Sequence, residues 1–251
     1  MESIVKKTVL VACVGLLAGA FFGVPASAAD VHSAYSGGSV PAKWGALAPG
    51  ESACGGKTQS PISQKGDLRG GLKPILFSYR PGGGKLVNNG HMMQMDFASG
   101  SSIVLDGITF ELKQLHFHTP SENRTKGKSY PMEAHLVHAD KDGHLAVVVV
   151  MIEQGAKNPA IAGLWLAMLI AQQDTSAPVQ LFSAAALLPE ARNYDRFKDA
   201  LTTLPRTECV RWVVMKQPIF ASAEQVAAFA TALHASNGRL TQAINARVVL
   251  E

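Results

Sequence analysis

The residues best suited to chemistry are three histidines in segment 114–138. His116 and His118 lie in the run QLHFH, whose apolar members predict a β-strand, and alternate side chains of a strand share one face. The run MEAHLVH predicts a second strand with Glu133 and His135 on one face. If these strands are neighbours with those faces aligned, the three imidazoles converge on one point.

Three neutral imidazoles are the ligand set of a catalytic zinc ion, which keeps its fourth position for water. Gln114 and Glu133 each precede a histidine by two residues on the same face, where they can accept a hydrogen bond from the ring nitrogen that does not bind metal. A His-x-His pair alone is also found among ordinary strand histidines. A structural zinc is disfavoured because it normally takes four protein ligands. His138 falls on the opposite face from His135.

The segments QLHFHTPSE and YPMEAHLVH closely resemble the α-class carbonic anhydrases, in particular their bacterial secreted members. The resemblance can be followed from about Tyr35 to Arg247. It implies that His116, His118 and His135 bind Zn²⁺, with Gln114 and Glu133 orienting them. The implied reaction is reversible hydration of CO2 to bicarbonate and a proton by zinc-bound hydroxide.

The resemblance also implies the α-carbonic anhydrase fold: mixed and β-dominated, with a large, mostly antiparallel twisted central sheet and short peripheral helices. The residues themselves predict strands over 102–112 and 145–152, the latter buried on both faces. Segments 158–171 and 222–235 predict peripheral helices, the second opened by a capping box of Ser222 and Gln225.

A second chemical stretch, LTTLPRTECVRW, resembles the family segment that closes over the zinc ion. By this resemblance the Thr202 hydroxyl donates its proton to Glu122 and offers only lone pairs to the zinc-bound hydroxide, which orients the nucleophile. Thr203 is implied to position bicarbonate. The implied apolar walls of the CO2 pocket are Val137, Val147, Leu201, Val210 and Trp212.

Asn88-Asn89-Gly90 is a strong turn signal, and His91 follows it. The proton-shuttle histidine of the family follows a similar turn, so the resemblance implies that His91 carries protons between the site and buffer. Tyr35, Asn89 and Gln94 are implied to hold the solvent network. Without the resemblance, His91 would be one more surface histidine.

Several residues depart from the family pattern. Asp199-Ala200 stands where Gly-Ser usually precedes Leu-Thr-Thr, Leu204 replaces a proline, and Asn123 replaces a common histidine. Segment 237–242 lacks the usual prolines. These changes bear on loop rigidity and rate rather than on the histidines.

Residues 1–28 have the layout of a secretory signal: a basic start at Lys6 and Lys7, an apolar run, and Ala-Ser-Ala before the cleavage point. The apolar run is marginal for a membrane span of about 20 residues. A lipoprotein-type box ending at Cys13 lies too close to the lysines for a normal apolar region. We therefore expect a single catalytic domain over 29–251, periplasmic or secreted and free of the membrane after cleavage.

An exported protein can form disulfides, and Cys54 and Cys209 are the cysteines that remain after cleavage. Bacterial relatives often pair a cysteine at the Cys54 position with one that aligns here to Arg206, so a Cys54–Cys209 bridge is a hypothesis. Cleavage removes two lysines and one glutamate, which lowers the formal charge from +4 to +3. This dispersed charge does not indicate nucleic acid or a membrane surface as a partner.

The expected substrate is therefore the small molecule CO2 or bicarbonate, and the bacterial resemblance suggests a homodimer. Two other functions compete with CO2 hydration. A zinc hydrolase could use the same hydroxide on esters, although no extended substrate groove is evident. A non-catalytic binding module of the same fold should have lost a ligand histidine, and all three are present.

Overall fold

The fold is organised on one large sheet, seen in a computed structural model that describes residues 58–65, 68–88, 92–170, 176–203, 208–233 and 236–251. All described residues lie in one compact unit of the chain. The strands are β1 Ser63–Gln64, β2 Leu76–Ser78, β3 Gly82–Asn88, β4 Met93–Phe97, β5 Ser102–Leu105, β6 Ile108–His118, β7 Arg124–Thr125, β8 Met132–Ala139, β9 Leu145–Gln154, β10 Ser176–Phe182, β11 Tyr194–Asp199, β12 Val210–Met215 and β13 Ile219–Ala221. The helices are α1 Pro159–Ile170, α2 Ala223–Ala232 and a 3₁₀ helix, Ala184–Leu187.

Eleven of the described strands form the main sheet, with the order β10-β3-β4-β6-β8-β9-β12-β11. Strand β2 pairs with β5, β5 with β6, and β13 with β9. The pairs are antiparallel except where β12 and β13 run parallel to β9. Strands β1 and β7 form a separate parallel pair. This confirms the expected large, mostly antiparallel sheet with short helices.

The apolar run of β9 is buried on both faces, as its sequence predicts. Val148 and Val150 belong to a core cluster that also includes residues of α1 and α2. Val147 and Val149 belong to a second cluster on the other face, with Trp212. Successive valines therefore stabilise two different cores, because side chains alternate across a strand.

Both predicted helices are present. Helix α1 begins after Asn158, whose Oδ1 accepts hydrogen bonds from the backbone N–H groups of Ala160 and Ile161. Helix α2 begins after Ser222 and carries the predicted capping box with Gln225. In the described part of the chain, no helix is long and apolar enough to cross a membrane.

The single strand predicted over 102–112 is wrong. The chain turns back at Asp106 and Gly107, which have φ values of +53° and +79°, so β5 and β6 form a hairpin. Asp-Gly is a favoured pair where both turn residues need positive φ. The Asp-Gly pair indicates the turn, and the apolar residues on either side of it belong to two strands.

A β-bulge in β6 determines which residues face the site. Leu112 lies opposite His138 and Gln114 opposite Val137, so Lys113 is an extra residue in the register. Leu112 and Leu115 can therefore both join the core under the helices, although an odd number of positions separates them. From Gln114 onward, the alternation aims His116 and His118 at the opposite face.

His138 lies on the core side of β8, where both of its ring nitrogens have partners. Nδ1 is 3.3 Å from the carbonyl oxygen of Ala146, which can only accept, so Nδ1 donates. Nε2 then accepts from the Tyr79 hydroxyl at 2.8 Å. Burial lowers the pKa of His138 from 6.5 to about 4, so this ring is neutral in the folded protein at neutral pH.

We predict that His138 makes the fold sensitive to acid. Between pH 6.5 and about pH 4 the unfolded state binds a proton that the folded state does not, so stability falls as the pH is lowered. From pH 7 to pH 5 this one group should remove about 2 kcal/mol from the free energy of unfolding. In His138→Asn, urea titrations should show a pH dependence weaker by about that amount. An unchanged dependence would refute the prediction, whatever the variant costs at pH 7.

Candidate metal centre

The register of β6 and β8 brings the three predicted histidines together. His116 lies directly opposite His135, and His118 lies opposite Glu133. The ring centroids are 4.9 Å apart for His116 and His135 and 4.6 Å apart for His118 and His135. One nitrogen of each ring lies within 4.8 Å of one nitrogen of each of the others. All three side chains are buried, and the residues can hold a metal ion.

Each ring has one nitrogen beside an oxygen that accepts a hydrogen bond. The three contacts are His116 Nδ1 with Gln114 Oε1 at 3.0 Å, His118 Nδ1 with the Asn237 carbonyl at 2.9 Å, and His135 Nε2 with Glu133 Oε1 at 2.6 Å. In a neutral imidazole only one nitrogen carries a proton, so these contacts place the protons on the outer nitrogens. The inner nitrogens, Nε2, Nε2 and Nδ1 respectively, keep their lone pairs.

The third acceptor, the carbonyl of Asn237, is the functional group that sequence reasoning missed. The Asn237 side chain accepts from Thr119 N at 2.9 Å and donates to the Phe117 carbonyl at 2.9 Å. These two bonds clamp Asn237 along the end of β6 and aim its carbonyl at His118. A backbone carbonyl leaves no mark in a sequence, and this one lies in the segment that departs from the family pattern.

Glu133 is held by Asn123, the residue that replaces a common family histidine. The backbone N–H of Asn123 donates to Glu133 Oε2 at 3.1 Å, and its Nδ2 donates to Oε1 at 3.3 Å. Burial raises the pKa of Glu133 to about 7, while the bonds from Asn123 act in the opposite direction. A polar replacement for the histidine therefore preserves a donor to this carboxylate.

The electrostatics of the three rings favour a bound cation. Burial lowers the pKa of His116, His118 and His135, the last to about 4, so all three are neutral at pH 7. His135 Nδ1 and His116 Nε2, which both carry lone pairs, face each other at 3.2 Å. His118 Nε2 is buried and makes no hydrogen bond to any described residue. Three facing lone pairs repel one another, and a zinc ion fits this donor set.

His116 and His135 line a cavity of about 210 Å³ with mainly apolar walls, whereas His118 is fully buried and is not among the lining residues. The predicted site residues that line it are Gln114, His116, His135, Val137, Val147, Leu201, Thr202, Thr203 and Trp212. Val210 is not among the lining residues; it packs in the same core cluster as Trp212. Leu145 and Lys113 also line the cavity and were not predicted. Lys113 is the extra residue of the β6 bulge, and it lines the cavity together with its neighbour Gln114.

Glu122, the predicted partner of Thr202, is buried beside His118. Its Oε1 accepts from the backbone N–H of Arg239 at 2.7 Å. Its Oε2 lies 3.3 Å from His118 Nε2 and makes no hydrogen bond with the described residues. Thr202 is itself buried at the cavity, and no hydrogen bond joins the two side chains in this part of the chain.

Of the remaining predicted residues, the structure describes Gln94 and Cys209. Gln94 lies on β4 opposite His116 and donates to Asp96 at 2.6 Å. Tyr35, Asn89, His91 and Cys54 lie outside the described residues. Cys209 is exposed just before β12 with a φ of +67°. The shuttle, the solvent network and the disulfide therefore stay predictions.

Comparison with known proteins identifies the family. The family model for eukaryotic-type carbonic anhydrases matches residues 39–251. The chain is 41% identical over 230 residues to a carbonic anhydrase of Pectobacterium carotovorum, covering 90% of this chain and 93% of the relative. It superposes with a TM-score of 0.84 and 37% identity on the α-carbonic anhydrase of Thermovibrio ammonificans solved with sulfanilamide, covering 88% of this chain and 99% of that one.

The chain therefore belongs to the eukaryotic-type, or α-class, carbonic anhydrase family, and it is an enzyme of that class. The resemblance drawn from the two histidine segments is confirmed. A carbonic anhydrase from a hydrothermal vent chimney gives a TM-score of 0.83 at 41% identity, covering 88% of this chain and 99% of that one. The likeness thus extends over the whole sheet and not only the histidine motif.

We predict that Asn123 contributes to metal affinity through Glu133. In Asn123→Ala the side-chain bond to Glu133 Oε1 is lost and His135 is oriented less firmly, so the dissociation constant for Zn²⁺ should rise about 10-fold. Competition with a fluorescent chelator measures it. The matched control is Asn158→Ala, which removes the α1 cap and should leave zinc affinity unchanged. Equal shifts in both variants would show that lost stability, and not Glu133, is responsible.

Proposed function

We propose that this protein catalyses the zinc-dependent, reversible hydration of CO2 to bicarbonate and a proton. One observation carries the proposal: three buried imidazoles, two of which line an apolar cavity, present their unprotonated nitrogens to one another, and each is fixed through its other nitrogen. Family membership supplies the reaction class.

His116 Nε2, His118 Nε2 and His135 Nδ1 would hold the metal, since these are the nitrogens without outer partners. Three protein ligands leave a position for water, as in catalytic rather than structural zinc sites. When bound, zinc supplies a Lewis acid that activates water near neutral pH, chemistry for which carbonic anhydrase is itself the standard example. The role of this chain is to keep the rings neutral, oriented and dry.

The cavity wall suits a small, uncharged substrate. Val137, Val147, Leu201 and Trp212 present apolar surface beside the histidines, and CO2 has no net charge or dipole that would need a polar partner. Bicarbonate is charged and gains little from the same wall, so it leaves the cavity readily. Thr203, the more exposed of the two threonines, also lines the cavity and would offer its hydroxyl to that product.

Thr202 and Glu122 orient the attacking oxygen. Arg239 N–H occupies one carboxylate oxygen of Glu122, which leaves Oε2 as the acceptor for the Thr202 hydroxyl. A threonine that donates to a carboxylate has only lone pairs to offer elsewhere. It therefore accepts a hydrogen bond from the nucleophile and turns a lone pair of that oxygen toward the carbon of CO2.

The proton leaves through His91, with Tyr35, Asn89 and Gln94 holding the intervening water. A histidine is suited to this step because its ordinary pKa lies near neutrality.

We further propose that residues 1–28 are removed as a secretory signal, that 29–251 act as one periplasmic or secreted catalytic domain, and that this domain forms a homodimer. Its substrates are CO2 and bicarbonate.

Stopped-flow CO2 hydration on protein lacking residues 1–28 tests the proposal. We expect fast hydration that disappears after zinc removal, returns when zinc is added, and is absent in His135→Ala, which lacks one of the three ligands. The control His144→Ala removes an exposed histidine of the β8–β9 turn and should keep full activity. If the zinc-loaded protein hydrates no CO2, the proposal fails, and ester hydrolysis is the next assay.

His91→Ala tests the proton path separately. We expect kcat in weak buffer to fall by about 10-fold or more, because proton transfer then depends on buffer alone. The ratio kcat/KM should stay near the wild-type value, because the proton leaves after bicarbonate. Added imidazole buffer should restore kcat. A variant with unchanged kcat in dilute buffer would show that another group carries the proton.

A further inference from the structure

Asp199, one of the residues that depart from the family pattern, is the last residue of β11 and its carboxylate is buried. Oδ1 accepts from the backbone N–H of Ala200 at 2.8 Å. Oδ2 accepts from Nη1 of Arg247 in an ion pair whose side chains are both buried. Thr202 follows only three residues later, so this carboxylate fixes the start of the segment that carries it.

Arg247 is held on several sides. Nη1 also donates to the carbonyl of Gln59 at 2.6 Å, and Nε donates to the carbonyl of Ile244 at 2.8 Å. Nη2 donates to the carbonyl of Ala243. A planar guanidinium with its donors engaged in this way is a rigid fork, which the flexible ammonium of a lysine could not reproduce.

The same network reaches Glu122 from the other side. Gln59, whose carbonyl binds Arg247, accepts through its Oε1 from Nη1 of Arg239 at 3.1 Å. That Nη1 also donates to the Ser60 carbonyl at 2.7 Å, and the backbone N–H of Arg239 holds Glu122 Oε1. A continuous line of contacts therefore runs from Glu122 through Arg239, Gln59 and Arg247 to Asp199.

A second anchor lies on the Thr202 side. The indole Nε1 of Trp212 donates to the carbonyl of Ala200 at 3.0 Å. Ala200 is thus held through its N–H by Asp199 and through its carbonyl by Trp212. The segment 201–203 leaves this fixed residue directly into the cavity.

We propose that Asp199 and Arg247 are positioning residues: their buried ion pair, joined through Gln59 to Arg239, sets the place of Thr202 relative to Glu122. The proposal rests on the proposed function, in which these two side chains orient the nucleophile. A Gly-Ser pair at 199–200 offers no carboxylate to Arg247. Asp199 therefore gives Arg247 an ionic partner that a glycine at this position could not supply.

A double-mutant cycle on catalysis tests whether Asp199 acts through Thr202. The variants are Asp199→Asn, Thr202→Ala and the double variant, each zinc-loaded and lacking residues 1–28. We expect Thr202→Ala to lower kcat/KM about 100-fold, a size typical of lost orientation at a reacting centre. Asp199→Asn should lower kcat/KM about 10-fold alone and less than about 2-fold in the Thr202→Ala background, because residues that act as one unit are not additive.

Controls separate positioning from stability. Asp106→Asn makes the same substitution in the ion pair of Arg196, also on β11 but away from the cavity, and should leave kcat/KM unchanged. Zinc content and circular dichroism at the assay temperature should match the wild type in every variant. If Asp199→Asn does not fold, Arg247→Lys takes its place in the test. This variant keeps the charge but loses the planar fork, and it should show the loss of kcat/KM that is expected of Asp199→Asn.

Several outcomes would overturn the proposal. Equal losses from Asp199→Asn in both backgrounds would show that Asp199 does not act through Thr202. An equal loss of kcat/KM in Asp106→Asn would assign the effect to lost stability. Wild-type activity in both Asp199→Asn and Arg247→Lys would show that the ion pair does not position Thr202. Failure of the proposed function itself looks different, since the zinc-loaded wild type would then be inactive.

Discussion

The site depends on a repulsion: three imidazole lone pairs that face one another away from water. The outer acceptors force this arrangement because Gln114, Glu133 and the Asn237 carbonyl each accept a hydrogen bond from one ring, which keeps the ring proton on the outer nitrogen. Protonating an inner nitrogen would relieve it, but burial holds the ring pKa values below their ordinary range. A cation could relieve this repulsion, so a fold that accepts it would give up stability in exchange for metal affinity.

The sheet supplies the rigidity that this repulsion requires. Strands β6 and β8 lie in the middle of the sheet, with β4 and β9 on their outer sides, so the histidines cannot separate without breaking a ladder. The core under α1 and α2 fills the opposite face. The bulge at Lys113 lets one strand serve both faces, since apolar residues before and after it reach the same core.

The features of this fold and site that could be predicted from sequence are those that depend on residues close together in the chain. Period-two alternation located His116, His118, Glu133 and His135 on their faces, because that pattern is local. The bulge at Lys113 could not be predicted, since it depends on the register with β8. The hairpin at Asp106 could have been predicted from its Asp-Gly pair.

Other contacts between distant segments could not be predicted from the residues. The carbonyl of Asn237 meets His118 across 119 positions of the chain. Arg247 meets Asp199 across 48 positions, and Gln59 across 188. No residue type announces such pairings, because backbone carbonyls are chemically alike and an isolated arginine usually indicates a solvated surface.

Strand β8 shows why histidine alone does not define a ligand. His135 and His138 are both buried and neutral, with the pKa of each lowered to about 4. His138 has Tyr79 and Ala146 on its two nitrogens and offers nothing further. His135 has Glu133 on one nitrogen and a second lone pair opposite it on the other. The capacity to hold a metal ion therefore depends on which nitrogens the neighbours leave without a partner, and a hydroxyl donor beside His135 Nδ1, like Tyr79 beside His138, would remove that capacity.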